Sequence, residues 1–130
     1  MQLGFDGQTV LVTGAGQGNG ASIARGFAAA GATVAVVDVN AATAEAVVAQ
    51  IQGLGGRARS WTLDVSDAAA CAGLATSVQA VLGDITVLVN NAGILIRAPF
   101  AQGRPLEDWH ATLNVNLNGP YNMALAFVDQ

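Results

Sequence analysis

Residues 13–20 read Thr13-Gly14-Ala15-Gly16-Gln17-Gly18-Asn19-Gly20. An apolar run, Thr9-Val10-Leu11-Val12, leads into them. An alanine-rich stretch with helical spacing at Ile23, Ala24, Phe27 and Ala28 leads away. A strand that stops in a glycine turn and feeds a helix is a phosphate cradle. Glycine lets the backbone turn tightly and meet an anion with no Cβ in the way. The first turn of the helix then presents unpaired N–H groups and the positive end of its dipole. Alone, such a turn is equally well a tight structural turn, so its meaning depends on what surrounds it.

The remaining chain repeats the strand–helix theme. Gln8 to Thr13 forms a first strand, followed by a helix over about Asn19–Ala30 that ends at Gly31. Residues 32–37 make a second strand closed by Asp38. Asn40 is placed to cap a helix through Ala44, Val47, Val48 and Ile51. Arg57 to Leu63 alternates in polarity and reads as a strand at a sheet edge. Ser66 or Asp67 caps a third helix that runs to about Leu82. Ile85 to Val89 is a β-prone fourth strand with Asn90-Asn91-Ala92-Gly93 at its end. Pro105 suits the first turn of a last helix carrying Trp109, Leu113 and Asn116. Strands alternating with helices, joined by right-handed crossovers, predict an α/β fold with a parallel sheet covered on both faces.

At 130 residues the chain is one domain, residues 1–130. Only 11% of residues are charged and 52% are hydrophobic, so part of the surface is expected to meet other protein. The longest apolar run, Met123 to Val128, is far too short for a membrane span. No signal peptide is evident, and the single Cys71 fits a reducing, cytoplasmic compartment. The net charge of −4, without a basic cluster, argues against a nucleic-acid partner. His110 has no ligand neighbours at helical spacing, so no metal site is expected. Cys71 reads as a small core or boundary residue, and Trp61 and Trp109 as packing anchors.

Asp38 stands 24 residues after Gly14, where a carboxylate can accept both hydroxyls of an adenosine ribose. It would repel a 2′-phosphate, and no arginine stands at Gln17 or just after Asp38, so NAD is favoured over NADP. The bland alternative is a capping or solvated aspartate. Taken together, Thr13-Gly14-x-x-x-Gly18-x-Gly20, Asp64-Val65 and Asn90-Asn91-Ala92-Gly93 resemble the short-chain dehydrogenase/reductase family across nearly the whole chain.

That resemblance implies a Rossmann-type three-layer α/β/α fold with sheet order 3-2-1-4, truncated after the helix that follows the fourth strand. It also implies roles. Gly14, Gly18 and Gly20 would shape the cofactor-binding turn, whose backbone near Asn19 would meet the pyrophosphate, with Gln17 also among the cofactor-binding residues. Asp64 and Val65 would flank the adenine. Asn91, Ala92, Gly93 and Ile94 would line the channel toward the nicotinamide, with Asn90 and Thr13 as internal braces. Asn19 replaces the family's usual isoleucine. In Val115-Asn116-Leu117-Asn118-Gly119, Asn116 matches the family's catalytic asparagine, whose carbonyl holds a relay water. Pro120 lies four residues on and has no N–H, which frees that carbonyl and predicts a kinked helix.

The family's chemistry also needs a Ser and a Tyr-x-x-x-Lys. The only tyrosine, Tyr121, is followed at that spacing by Leu125, and the five basic residues are all arginines. The 130 residues alone are therefore expected to be inactive. The expected function is the NAD-binding portion of an oxidoreductase acting on alcohol or carbonyl groups. A non-catalytic NAD-binding or self-associating fragment is the alternative. The apolar fourth strand and last helix are expected to pair with a complementing polypeptide or another copy of the chain.

Overall fold

The computed structural model describes residues 3–99 and 101–130. Four strands, β1 (Thr9–Thr13), β2 (Thr33–Asp38), β3 (Arg57–Thr62) and β4 (Val87–Val89), form one parallel sheet in the order β3-β2-β1-β4. The helices are α1 (Gly18–Ala29), α2 (Ala41–Gly53), α3 (Ala68–Leu82), α4 (Pro105–Leu113) and α5 (Gly119–Phe127). The fold is the expected Rossmann-like α/β arrangement, with β3 at one edge and β4 at the other.

The alternation of side chains along β1 builds both faces of the sheet. Val10 and Val12 point toward α1 and α2, among Ala21, Ala24, Val47 and Ile51. Leu11 points the other way, toward α3 and α5, among Val78, Met123 and Phe127. In register, Leu11 lies between Ala35 of β2 and Leu88 of β4. The strands flanked by both layers are therefore apolar on both faces. Small residues on α1 (Gly20, Ala21, Ala24 and Ala28) form its buried side and let the helix lie close to the strands.

Capping follows the sequence. Asn40 Oδ1 accepts from the Thr43 N–H at 3.2 Å. Of the two candidates for α3, Asp67 is the cap, its Oδ1 accepting from the Ala70 N–H at 3.0 Å. Ser66 instead donates both its N–H and its Oγ–H to Asp64 Oδ1. Cys71 is fully buried and Trp61 packs against the α3–α5 side of the core.

Three features differ from the sequence reading. First, β4 begins at Val87 rather than Ile85 because Ile85 gives its N–H to Gln130 Oε1, at 2.8 Å, instead of to a strand. Second, the last helix is not α-helical throughout. A π-helical turn over Asn114–Asn118 joins α4 to α5. Backbone angles stay right-handed helical at Leu113, Asn114, Asn118 and Gly119, and Pro120, which lacks a donor, stands directly after this wider turn. Third, Trp109 is 62% exposed and anchors no core, because α4 buries no residue and has the π turn as its main neighbour.

Leu11 is wholly buried at the centre of the sheet. Leu11→Ala is expected to lower the unfolding free energy by about 3 kcal/mol in urea titrations, through lost burial and the cavity left behind.

Candidate dinucleotide site

The site begins where β1 ends. Gly14 (φ +62°) and Gly18 (φ +55°) take the left-handed conformation that reverses the chain into α1. Space is equally restrictive. A Cβ on Gly14 would stand 2.8 Å from Ala92 Cα, and one on Gly20 would collide with the Gly14 carbonyl and Asn91 Nδ2. Gln17, in extended conformation before α1, gives the helix no side-chain cap, and the first turn carries no acidic residue. The N–H groups and dipole of α1 are thus left for an anion, on a turn that admits no side chain in its way.

A cleft of about 440 Å³ opens over this turn. Gly14, Gln17, Gly18 and Asn19 form its middle. Asp38, which ends β2, and Asp64 and Val65, which follow β3, lie at one end, and Asn91, Ala92, Gly93 and Ile94 follow β4 at the other. Gly20 is buried behind the turn, where it makes room for Gly14 and Asn91. Sequence reasoning missed the apolar walls Val37, Val39, Leu63 and Val115. It also missed Gly16, whose N–H donates to Asp38 Oδ2 at 2.9 Å. A Cβ on Gly16 would stand 2.9 Å from Asp38 Cγ, so the alternating glycines were the available signal.

Asp38 is neither a helix cap nor free in solvent. While Oδ2 accepts from Gly16, Oδ1 accepts from the Asn40 N–H at 2.9 Å. Each carboxylate oxygen keeps a further lone pair for a ligand hydroxyl.

The braces between β1 and β4 are Thr13 and Asn91, not Asn90. Thr13 Oγ1 accepts from the N–H groups of Asn91 (3.1 Å) and Ala92 (3.0 Å) and donates to the Val89 carbonyl (3.4 Å). Asn91 Nδ2 donates to the carbonyls of Thr13 and Gly14, at 3.1 and 3.2 Å. Asn90, just past the end of β4, is exposed.

Asn116 lies outside the cleft wall but holds part of it. Its Oδ1 accepts from the Ile94 N–H at 2.8 Å and its Nδ2 donates to the Ile94 carbonyl at 2.9 Å. Tyr121 is on the exposed side of α5, outside the cleft. Among the described residues no cluster of His, Cys, Asp and Glu could hold a metal ion, and no helix is long and apolar enough to cross a membrane.

Comparison with known proteins decides the lineage. The family model of the short chain dehydrogenases matches residues 8–130. The chain belongs to the short-chain dehydrogenase/reductase family. These are oxidoreductases that bind nicotinamide dinucleotides. The chain is 46% identical over 122 residues to D-threitol dehydrogenase of Mycolicibacterium smegmatis, spanning 94% of this chain and 46% of that protein. It resembles the crystal structure of gluconate 5-dehydrogenase from Burkholderia cenocepacia in complex with NADP and tartrate, with a TM-score of 0.88 and 38% identity over 98% of this chain and 50% of that one. It also resembles a metagenomic short-chain oxidoreductase in complex with NADP, with a TM-score of 0.87 and 39% identity over 99% of this chain and 57% of that one. The chain thus spans about half the length of the relatives it matches.

Two outcomes follow from this geometry. Thr13→Val leaves the Asn91 and Ala92 N–H groups without their acceptor and is expected to cost about 2 kcal/mol of stability in urea unfolding. Burial, with Asp67 and then Asp64 adding to it, pushes the Cys71 thiol above its ordinary value. The native state therefore holds this proton more tightly than the unfolded chain. Its stabilising contribution is full below the ordinary thiol value of about 8.5 and is lost as pH rises through the raised native value. Unfolding free energies measured across that range are expected to fall with pH, and Cys71→Ala to flatten the slope.

Proposed function

We propose that the cleft binds NAD(H) as the cofactor-holding portion of an oxidoreductase acting on alcohol or carbonyl groups. The observation that carries this reading is the Asp38 carboxylate, held at the cleft by the Gly16 and Asn40 N–H groups. It offers acceptors to the 2′- and 3′-hydroxyls of an adenosine ribose. A 2′-phosphate there would bring like charge against like, and Val39, not an arginine, follows Asp38. NADP in the two related crystal structures does not alter this local argument, which rests on the residues at positions 38 and 39 of this chain.

In this reading the uncapped start of α1, with Gly14, Gln17, Gly18 and Asn19, takes the pyrophosphate. Asp64 and Val65 flank the adenine. Ala92, Gly93 and Ile94 border the nicotinamide, and Asn91 keeps that border in register with the turn. When bound, the nicotinamide accepts or gives the hydride. Asn116 fixes the Ile94 backbone through its side chain. Its main-chain carbonyl has no N–H at Pro120 to accept from, which leaves it available to order a water in a proton relay. The acid–base group itself must come from outside these 130 residues, since they contain no lysine and no Tyr-x-x-x-Lys.

The reading extends to assembly and compartment. Leu117, Tyr121, Leu125 and Val128 are each more than 60% exposed along α5 and the π turn before it. Further protein, another copy of the chain or a complementing segment, covers this stripe and β4 in the working molecule. The lone, buried Cys71 suits a reducing cytoplasm.

Calorimetric titration with NAD and NADP tests the proposal. NAD is expected to bind at least about tenfold more tightly than NADP, or ~1.4 kcal/mol, and Asp38→Ala to narrow that ratio. No binding of either dinucleotide would refute the cofactor assignment. Equal or tighter binding of NADP would refute the role given to Asp38.

A further inference from the structure

Val65 is buried, yet it lines the adenosine end of the cleft, and its support comes from α5. Asn122 Nδ2 donates to the Val65 carbonyl at 2.9 Å. The Cys71 thiol approaches the same oxygen at 3.5 Å, but a thiol is a weak donor. One turn earlier on α5, Gly119 presses against the Val65 side chain: a Cβ there would stand 2.6 Å from Val65 Cγ2. The segment carrying Asp64 and Val65 otherwise closes on itself, with Ser66 turned back onto Asp64 Oδ1. Asn122 is therefore the strong side-chain hydrogen bond between this wall of the cleft and the last helix.

Asn116 makes the matching contact at the other end, on Ile94. Both amides project from the continuous run of π turn and α5. One helical rod thus grips both ends of the cleft through backbone groups of residues that line it.

We infer that Asn122 is a positioning residue for the adenosine end of the cofactor cleft, acting through the Val65 carbonyl. The inference rests on the dinucleotide reading above. Loss of its donor leaves the Val65 carbonyl with only the weak thiol as side-chain partner, and the wall relaxes where the adenine lies. The effect is local to that end, because Ile94 is fastened separately by Asn116.

Calorimetry with NAD and with AMP, which occupies the adenosine end alone, separates the possibilities. Asn122→Leu keeps the bulk of the side chain and removes its donor. It is expected to weaken NAD and AMP by the same factor, about fivefold, the scale of one lost hydrogen bond. Asn116→Leu is expected to weaken NAD while leaving AMP unchanged. A variant that merely loosens the fold produces no such split. Should Asn122→Leu fail to fold by circular dichroism, Asn122→Ser, smaller and still polar but too short to reach Val65, carries the same expectation. AMP bound equally well by the Asn122 variant and the wild type would overturn the inference and leave the dinucleotide reading standing. An equal loss of AMP in the Asn116 variant would also overturn it. A wild-type protein that binds neither NAD nor AMP would overturn both.

Discussion

The rest of the molecule depends on a small knot of hydrogen bonds where β1 and β4 end. The chain winds from β1 to β2 and β3 on one side, then crosses to β4 on the other. At such a reversal the connections leave in opposite directions, and a crevice opens between them. Thr13 and Asn91 tie that crevice at its floor. A single hydroxyl serves two N–H groups of the β4 exit, while a single amide serves two carbonyls of the β1 exit. Among the described residues Thr13 is the polar one in an otherwise apolar buried set, and its hydroxyl has partners in the knot. With the two exits locked together, the glycine turn and the Ala92–Ile94 segment face one another at a set distance.

Close approach is the second theme. The absence of side chains at Gly14, Gly16 and Gly20 lets the turn touch Ala92, Asp38 and Asn91 respectively. The contacts of Gly14 and Gly20 couple the turn to the exit of β4, and that of Gly16 couples it to the end of β2. The alanines of α1 extend the same logic into the core, where a small helix face lies on the valines of β1 and β2. Small residues here are structural statements: they mark where backbones meet.

Much of this was legible in the sequence because it is written in local chemistry. Apolar runs bounded by glycine located the strands. Asn40 was readable as a cap, and the spacing of the Thr-Gly turn, Asp38, Asp64 and Asn91 located the cleft. What stayed hidden depends on partners distant in sequence. Ile85 is β-prone, yet Gln130, 45 residues away, takes its N–H. Asn90 and Asn91 are identical in type, and only the contacts across to Thr13 and Gly14 tell which one braces β1. Trp109 has the composition of an anchor but sits on a helix with no layer beneath it. Pro120 announced a lost donor, though not the π turn that precedes it.

That widening sets the angular phase of everything after it. Each residue of an α-helix advances its side chain by about 100° around the axis. A π turn takes in an extra residue, so α5 leaves it rotated relative to the line that α4 would have continued. In the present phase Met123 and Phe127 enter the core and Asn122 reaches Val65. Tightening Asn114–Asn118 into a regular α-helix at unchanged chain length would swing those side chains around by roughly a quarter turn or more, on the order of 100°. The core contacts of α5 and its hold on the cleft would be lost together, with no change in the composition of α5. The five residues of the turn thus act as an indexing step, and it is their wider winding that sets which side chains of α5 face the core and the cleft.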